Sequence, residues 1–474
     1  MTPTLKTDIL VIGAGSAGLS VAAGASQMGA DTVLIERGKM GGDCLNYGCV
    51  PSKAMLAAGQ LAADARRSES FGIIAEPQIN FARVQDHVSQ VIAAIAPNDS
   101  VERFEGFGVK VIREAARFVG PRRVQAGDAV ISARRIVIAT GSSPMVPPIP
   151  GLDQTPFLTN ETVFANRTLP RHLIVIGGGP IGMELAQAHR RLGARVTVLE
   201  GQRALGKDDP ELTAMVLDRL RKEGIDIHEN AGVSRVDPDG DGGVRVTIEQ
   251  NGNKTTLTGS HLLVATGRKA NVDSLDLEAG GIEYTPKGIK VDQRLRTSDK
   301  KVFAIGDVAG GLQFTHVASY HAGIVIRNAL FHLPAKVDYK AVPWVTYTDP
   351  ELAHVGLTEA QARDQHGNIE VLRWSLEEND RAQAERATEG LIKVVIDRKS
   401  RIVGATLAGR HAGELIHPWV LAVGEGMKIK TLASYIAPYP TLGEIGKRAA
   451  GSFYSPKLFS DKTRRVVRLL RWLG

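Results

Sequence analysis

The chain has 474 residues, 43% apolar, 23% charged and 5% aromatic, room for two to four domains at roughly 100–200 residues each. Glycine is frequent, 51 residues or about 11% against the usual ~7%, but with no Gly-X-Y period and no low-complexity tract, which excludes collagen and disorder. Of the net charge of +7, residues 456–474 carry +5 (six Lys/Arg, one Asp), so the other 455 residues carry only +2 and nucleic acid is excluded as a partner.

The first element is an apolar run of strand length, residues 8–12, followed by Gly13-Ala14-Gly15-Ser16-Ala17-Gly18 and a small-residue helical stretch over 19–29. The next run, 32–35, ends on Glu36. Strand, glycine turn, helix and an acid after the second strand make a dinucleotide fingerprint: the glycines let backbone approach a pyrophosphate and the acid accepts from ribose hydroxyls. Asp8 interrupts the apolar stretch, which argues against a signal peptide. Residues 41–53 read Gly-Gly-Asp-Cys-Leu-Asn-Tyr-Gly-Cys-Val-Pro-Ser-Lys and hold the only two cysteines, Cys44 and Cys49. A distorted helical turn brings such a pair close enough to bridge reversibly; the other reading is two inert thiols. So few cysteines fit a reducing, cytoplasmic compartment.

The fingerprint returns as the run 173–176, Gly177-Gly178-Gly179-Pro180-Ile181-Gly182, a helix to Gly193, and the run 196–199 ending on Glu200. Gly13 and Gly177 stand 164 positions apart, and so do Glu36 and Glu200. Each copy leads to a strand closing on Ala-Thr-Gly: 136–141, with Thr140, Gly141 and then Ser142, and 262–267, ending on Gly267. The repeat predicts an α/β fold with two Rossmann-like domains. Glu200 would repel a 2′-phosphate and favours NAD, while nearby Arg203 keeps NADP as the alternative. A third strand, 302–305, ends on Gly306-Asp307, and 341–450 hold alternating apolar runs such as 392–396 and 402–407, predicting an antiparallel α+β domain.

On the fingerprint at 13–18, the segment GGDCLNYGCVPSK, both Ala-Thr-Gly motifs, the second fingerprint, Ile-Gly-Asp at 305–307 and VTYTDPELAHVGLTE at 345–359, the chain resembles the class I pyridine nucleotide-disulfide oxidoreductases. The likeness runs from residue 8 to about 450. It implies FAD on the first fingerprint and NAD on the second. It also implies a charge-transfer thiol at Cys49, an interchange thiol at Cys44, Lys53 paired with Glu184 near the flavin, Asp307 on the ribityl chain and Ala116 by the adenine. Gly42 belongs to the redox segment. The division it implies is an FAD domain from 1–150 and 271–340, an NAD(P) domain at 151–270 and a homodimerisation domain at 341–455 whose partner subunit completes the active site.

One departure stands out. The family's disulfide reductases carry His-Pro-Thr-Leu-x-Glu near the C-terminus, the histidine serving as acid/base, whereas this chain has Tyr439-Pro440-Thr441-Leu442-Gly443-Glu444. With an ordinary pKa near ~10 against ~6.5 for histidine, Tyr439 does not cycle a proton at neutral pH. Such a tyrosine resembles the mercuric-reductase-like branch, but no cysteine follows Cys49 to deliver a metal. His316, His321 and His417 are the candidate substitute bases. The sequence therefore reads as a homodimeric FAD enzyme passing electrons from NADH through Cys44–Cys49 to a disulfide, a soft metal ion or a quinone. The alternatives are a dihydrolipoamide dehydrogenase with an atypical base and a flavoprotein acting mainly as an assembly partner. In the tail, 456–474, Arg464, Arg468 and Arg471 share one helical face while Val466, Leu470 and Leu473 share another, with Trp472 beside it, predicting a basic amphipathic helix for a membrane surface or an acidic protein, or one packed on its own subunit with the arginines in solvent.

Overall fold

The computed structural model describes residues 4–240 and 242–472, so Leu473 of the tail pattern lies outside the described residues. The chain packs as two compact units, one of residues up to 201 together with 226–338, the other of 202–225 together with 339 onward.

In the first unit the strand Thr4–Ile12 lies between Thr32–Ile35 and Ala129–Ile138, parallel to both. Val109–Ile112 extends this sheet beyond Thr32–Ile35, and Val302–Ala304 joins Ala129–Ile138, again in parallel. Side chains alternate across a strand, so Ile9 and Val11 enter one core with the helices Ser16–Gln27 and Thr315–Ala329, while Leu10 and Ile12 enter another with Phe118, Val124 and Ile131. Covered on both faces, the strand is apolar at every one of these positions. The helix begins at Ser16, earlier than predicted, because Gly15 is an extended N-cap that turns the chain directly into it.

The second copy repeats this plan. His172–Ile176 runs parallel to Arg195–Leu199 and to His261–Val264, and the helix Pro180–Arg191 follows the loop. Three antiparallel strands, Ala231–Pro238, Val244–Gln250 and Asn253–Gly259, pack beside it around Val236, Val246 and Ile248.

The second unit is built on a five-stranded antiparallel sheet in the order Pro343–Thr346, Glu351–Gly356, Ile402–Gly409, Leu391–Asp397, Ile369–Ser375. The predicted strands 392–396 and 402–407 are neighbours in it. Its core gathers Ile392, Val394, Leu407 and Trp419. The helix Pro210–Lys222, which the sequence division placed with the second fingerprint, groups with this sheet. The link is ionic: Lys393, with a side chain only 5% exposed, lies 2.8 Å from Asp209, 3.0 Å from Glu211 and 2.7 Å from Glu359, and Arg373 lies 2.8 Å from Glu211. Among the described residues no helix is long and apolar enough to cross a membrane.

Candidate functional site

Both glycine loops are shaped by their own backbone. Gly13 and Gly177 take φ of +105° and +113°, and a Cβ there would stand 2.4 Å from the Ala139 carbonyl oxygen or 2.3 Å from that of Ala265. A Cβ on Gly18 or Gly182 would fall 1.8 or 2.0 Å from the carbonyl oxygen of the loop's first glycine. The middle glycines differ: Gly179 has nothing within 4 Å of that position, and Gly15 only the Gly42 Cα at 3.9 Å. These open positions are the N-caps of Ser16–Gln27 and Pro180–Arg191, and neither cap has a side chain accepting from the first-turn N–H groups. An uncapped, positive helix end opening onto space suits a pyrophosphate, so both loops fit a dinucleotide. Ser16, Ala17, Pro180 and Ile181 make up these first turns. Glu36 accepts from the N–H groups of Ala14 and Gly38, both at 2.6 Å, and Glu200 from Gly178 at 2.8 Å, so each acid closes onto its own loop.

Gly42, at φ +60°, brings the redox segment against the first loop: its Cβ would meet the Gly15 Cα at 2.7 Å. Cys44 lies in the short helix Gly42–Asn46, and Cys49 opens the next one, Cys49–Arg67. The pair is thus spread over two helices rather than one distorted turn, with Tyr47 and Gly48 between them. The two are not bridged. The hydrogen bond from Cys44 lowers the Cys49 pKa most; burial opposes it, Thr315 (Oγ1 at 3.4 Å) and the charge of Lys53 add to it, and the thiol ends at about 6. Cys44 is pushed well up by the same hydrogen bond and by burial. The proton therefore stays on Cys44 and the negative charge on Cys49, at a helix N-terminus that favours it. One turn on, Lys53 Nζ stands 2.7 Å from Glu184 Oε2; the lysine side chain is 37% exposed and the glutamate 6%.

A polar knot lies at the end of the first Ala-Thr-Gly. Thr140 Oγ1 donates to the Asn271 carbonyl at 2.8 Å, Gly141 takes φ +68°, and Ser142 Oγ donates to Asp307 Oδ2 at 2.5 Å. Arg268, next to Gly267, donates to Ser142 Oγ at 2.7 Å and reaches Asp43 at 3.2 Å and Asp307 at 3.8 Å. Asn160 holds Asp43 and the Tyr47 carbonyl, each at 3.1 Å. Burial pushes the Asp307 carboxyl up. Ala116 starts the strand Ala116–Gly120. Thr315, Arg268, Asp43 and Asn160 were not singled out from sequence. Arg268 carried one signal, a charge directly after an Ala-Thr-Gly strand end.

Tyr439 and Glu444 belong to the second unit. Tyr439 is 69% exposed, and its hydroxyl donates to Asp380 Oδ2 at 2.9 Å. That bond and the charge of Asp380 raise the phenol above its ordinary value, with Glu444 adding to the effect. Asn379 Nδ2 donates to the Thr441 carbonyl at 3.1 Å, tying the same segment to the Tyr439 loop. Of the histidines, His321 is buried, accepts from the Gly306 N–H at 3.1 Å and is lowered to about 4 by burial; His316 stacks on Phe314; His417 bonds the Glu414 carbonyl at 3.0 Å.

Residues 7–322 match the family described as pyridine nucleotide-disulphide oxidoreductase, and residues 342–450 match its dimerisation domain. The chain belongs to this family. It is similar to the mercuric reductase of Bacillus cereus, 36% identical over 450 residues that cover 94% of this chain and 71% of the relative. It is also similar to the dihydrolipoyl dehydrogenase of Geobacillus stearothermophilus, 37% identical, covering 94% and 96%. Among solved structures it resembles the Cu(II) complex of the HOCl-induced flavoprotein disulfide reductase RclA from Escherichia coli, with TM-score 0.84, 28% identity and coverage of 93% and 99%. LpdA from Mycobacterium tuberculosis gives TM-score 0.86, 27% identity and coverage of 94% and 99%. This oxidoreductase accordingly uses FAD and NAD(P)H, and its dimerisation domain supports a homodimer.

Proposed function

We propose that this oxidoreductase passes two electrons from NADH through Cys44 and Cys49 to a soft metal ion. The observation that carries this reading is the Tyr439 hydroxyl donating to Asp380, which keeps the phenol protonated where a base would stand. Oxidising a dithiol needs a group to take its protons; a thiophilic cation needs only thiolate sulfur. Bound FAD would supply the two-electron exchange between nicotinamide and disulfide, held by the loop 13–18, Glu36, Gly42, Ala116, Thr140–Ser142 and Asp307. NAD would rest on Gly177, Gly179, Pro180, Ile181 and Gly182, with Glu200 disfavouring a 2′-phosphate.

Reduction of the disulfide leaves Cys44 as thiol and Cys49 as thiolate beside Lys53. Oxidation then returns the disulfide as one Hg(II) takes two electrons, or two Cu(II) take one each, and the Cys44 proton goes to solvent. Glu184 holds Lys53 in place. A lipoamide substrate, with another group as base, is the competing reading and draws on the likeness to dihydrolipoyl dehydrogenase.

The test is anaerobic titration with NADH followed by turnover assays with Hg(II), Cu(II) and lipoamide. A long-wavelength thiolate-to-flavin band is expected at the two-electron stage. Metal-dependent NADH oxidation should exceed lipoamide-dependent oxidation at least ~10-fold, since a missing general base costs roughly 10²–10⁴. Bleaching without the band, or faster turnover with lipoamide, overturns the proposal.

A further inference from the structure

We propose that the C-terminal helix docks this enzyme on an anionic lipid bilayer, independently of which acceptor the thiols serve. The turn Ser455–Leu458 is anchored to the preceding helix, with Lys457 over the Phe453 ring at 4.9 Å and Phe453 edge-on to Tyr454. Ser460 caps the helix Asp461–Leu470 by accepting from the Thr463 N–H at 3.3 Å, and Thr463 Oγ1 donates back to the Lys457 carbonyl at 2.8 Å. The helix therefore leaves its own unit at a defined point. From 456 to 472, every residue except Ser460 and Thr463 is exposed, including Phe459 at 72%, Leu469 at 70% and Trp472 at 90%.

The two faces demand different surroundings. Val466, Val467 and Leu470 lie along one side, with Leu469 at its edge, while Arg464, Arg468 and Arg471 line the other, with Arg465 beside them. Leu458, Phe459 and Val467 share a groove with Arg464, Arg468 and Arg471. Asp461, 3.7 Å from Arg464, is the one acid in the segment. A nucleic acid would neutralise the arginines and leave the apolar side in water. A second copy of the segment 456–474 would set +5 against +5. Lipid headgroups above acyl chains meet both faces at once, with the guanidiniums and Trp472 at headgroup depth and Val466, Val467 and Leu470 below.

The test is co-sedimentation of the FAD-loaded full-length protein with phosphatidylcholine vesicles, with and without ~30% phosphatidylglycerol, since anionic surface charge is the variable at issue. Binding only to the anionic vesicles is expected, with a blue shift of tryptophan emission that Trp472→Phe removes. Arg468→Glu with Arg471→Glu should weaken binding at least ~10-fold, at about 5-fold per cation. Leu470→Ser with Trp472→Ala should weaken it as well. NADH-dependent flavin reduction and the unfolding midpoint, measured on each variant, should match the parent and so exclude misfolding. No binding to anionic vesicles, or binding unchanged in both double variants, overturns the proposal. So does preference for soluble polyglutamate, which would assign the helix to an acidic protein, or a changed oligomeric state in the arginine variant, which would assign it to the subunit interface.

Discussion

Lys53 and Lys393 each meet a carboxylate at 2.7–2.8 Å, yet they sit in opposite circumstances. Lys53 has Glu184, keeps a third of its side chain in solvent, and stands one helical turn past Cys49, so part of its field falls on that sulfur. Lys393 lies mid-strand, nearly sealed, among Asp209, Glu211 and Glu359, with Arg373 and Arg363 returning the charge to balance. Its field is spent within the cluster. The contrast teaches that an ion pair's role is set by the third group that shares it: a thiol whose pKa it lowers gives Lys53 its place in the proposed chemistry, and further carboxylates make Lys393 part of the scaffold.

Breaking the scaffold pair has the largest expected effect. Lys393→Met leaves a buried Asp209 uncompensated and should cost about 3 kcal/mol, read as a lowered unfolding midpoint. The thiolate band of the reduced first unit should be unaltered. Acid acts on the same cluster more gently. Hydrogen bonds from Lys393 and Arg363 hold Glu359 at about 2 against an ordinary 4.5, so its stabilising contribution is complete above pH 4.5 and is lost as pH falls through 2. Denaturant unfolding should show a decline over that window, reduced in Glu359→Gln.

The relay pair reads out differently. With Cys49 near 6, the thiolate band of the two-electron-reduced enzyme should persist at pH 7 and fade as pH drops through 6. Lys53→Met should move that midpoint upward, and because it takes a partner from a carboxylate only 6% exposed, stability should also fall, by about 2 kcal/mol and less than for Lys393→Met. An unmoved midpoint would assign Lys53 to the scaffold instead. The smallest effect belongs to Tyr439→Phe, exposed on the surface, which should stay within about 0.5 kcal/mol in stability.

What could be read in advance follows from locality. Gly13 and Gly18, or Gly177 and Gly182, crowd one another within six residues, and the acid closing each loop follows 23 positions after the first glycine, so the order of residues carries the geometry. Cys44, Cys49 and Lys53 are likewise one short segment, and the likeness to a family linked Lys53 to Glu184, 131 positions away. Asp380 beneath Tyr439 could not be read, because it opens the short helix Asp380–Ala384, 59 residues upstream, whose contact with 439–441 depends on how the second unit closes.

By itself, then, the sequence determined the two nucleotide loops, the dithiol, the substitution of a tyrosine for the expected base, and a charged amphipathic terminus, all patterns of neighbours along the chain. Tertiary structure alone decided that Thr315 and the Cys44 proton settle the charge on Cys49, and that Arg268 joins Asp43, Ser142 and Asp307. It also decided that the helix Pro210–Lys222 packs against the second unit's sheet through a lysine 184 residues beyond Asp209. Such contacts form between groups distant along the chain that only packing brings within a few ångströms, and electrostatic effects at that range depend on the meeting rather than on the order of residues.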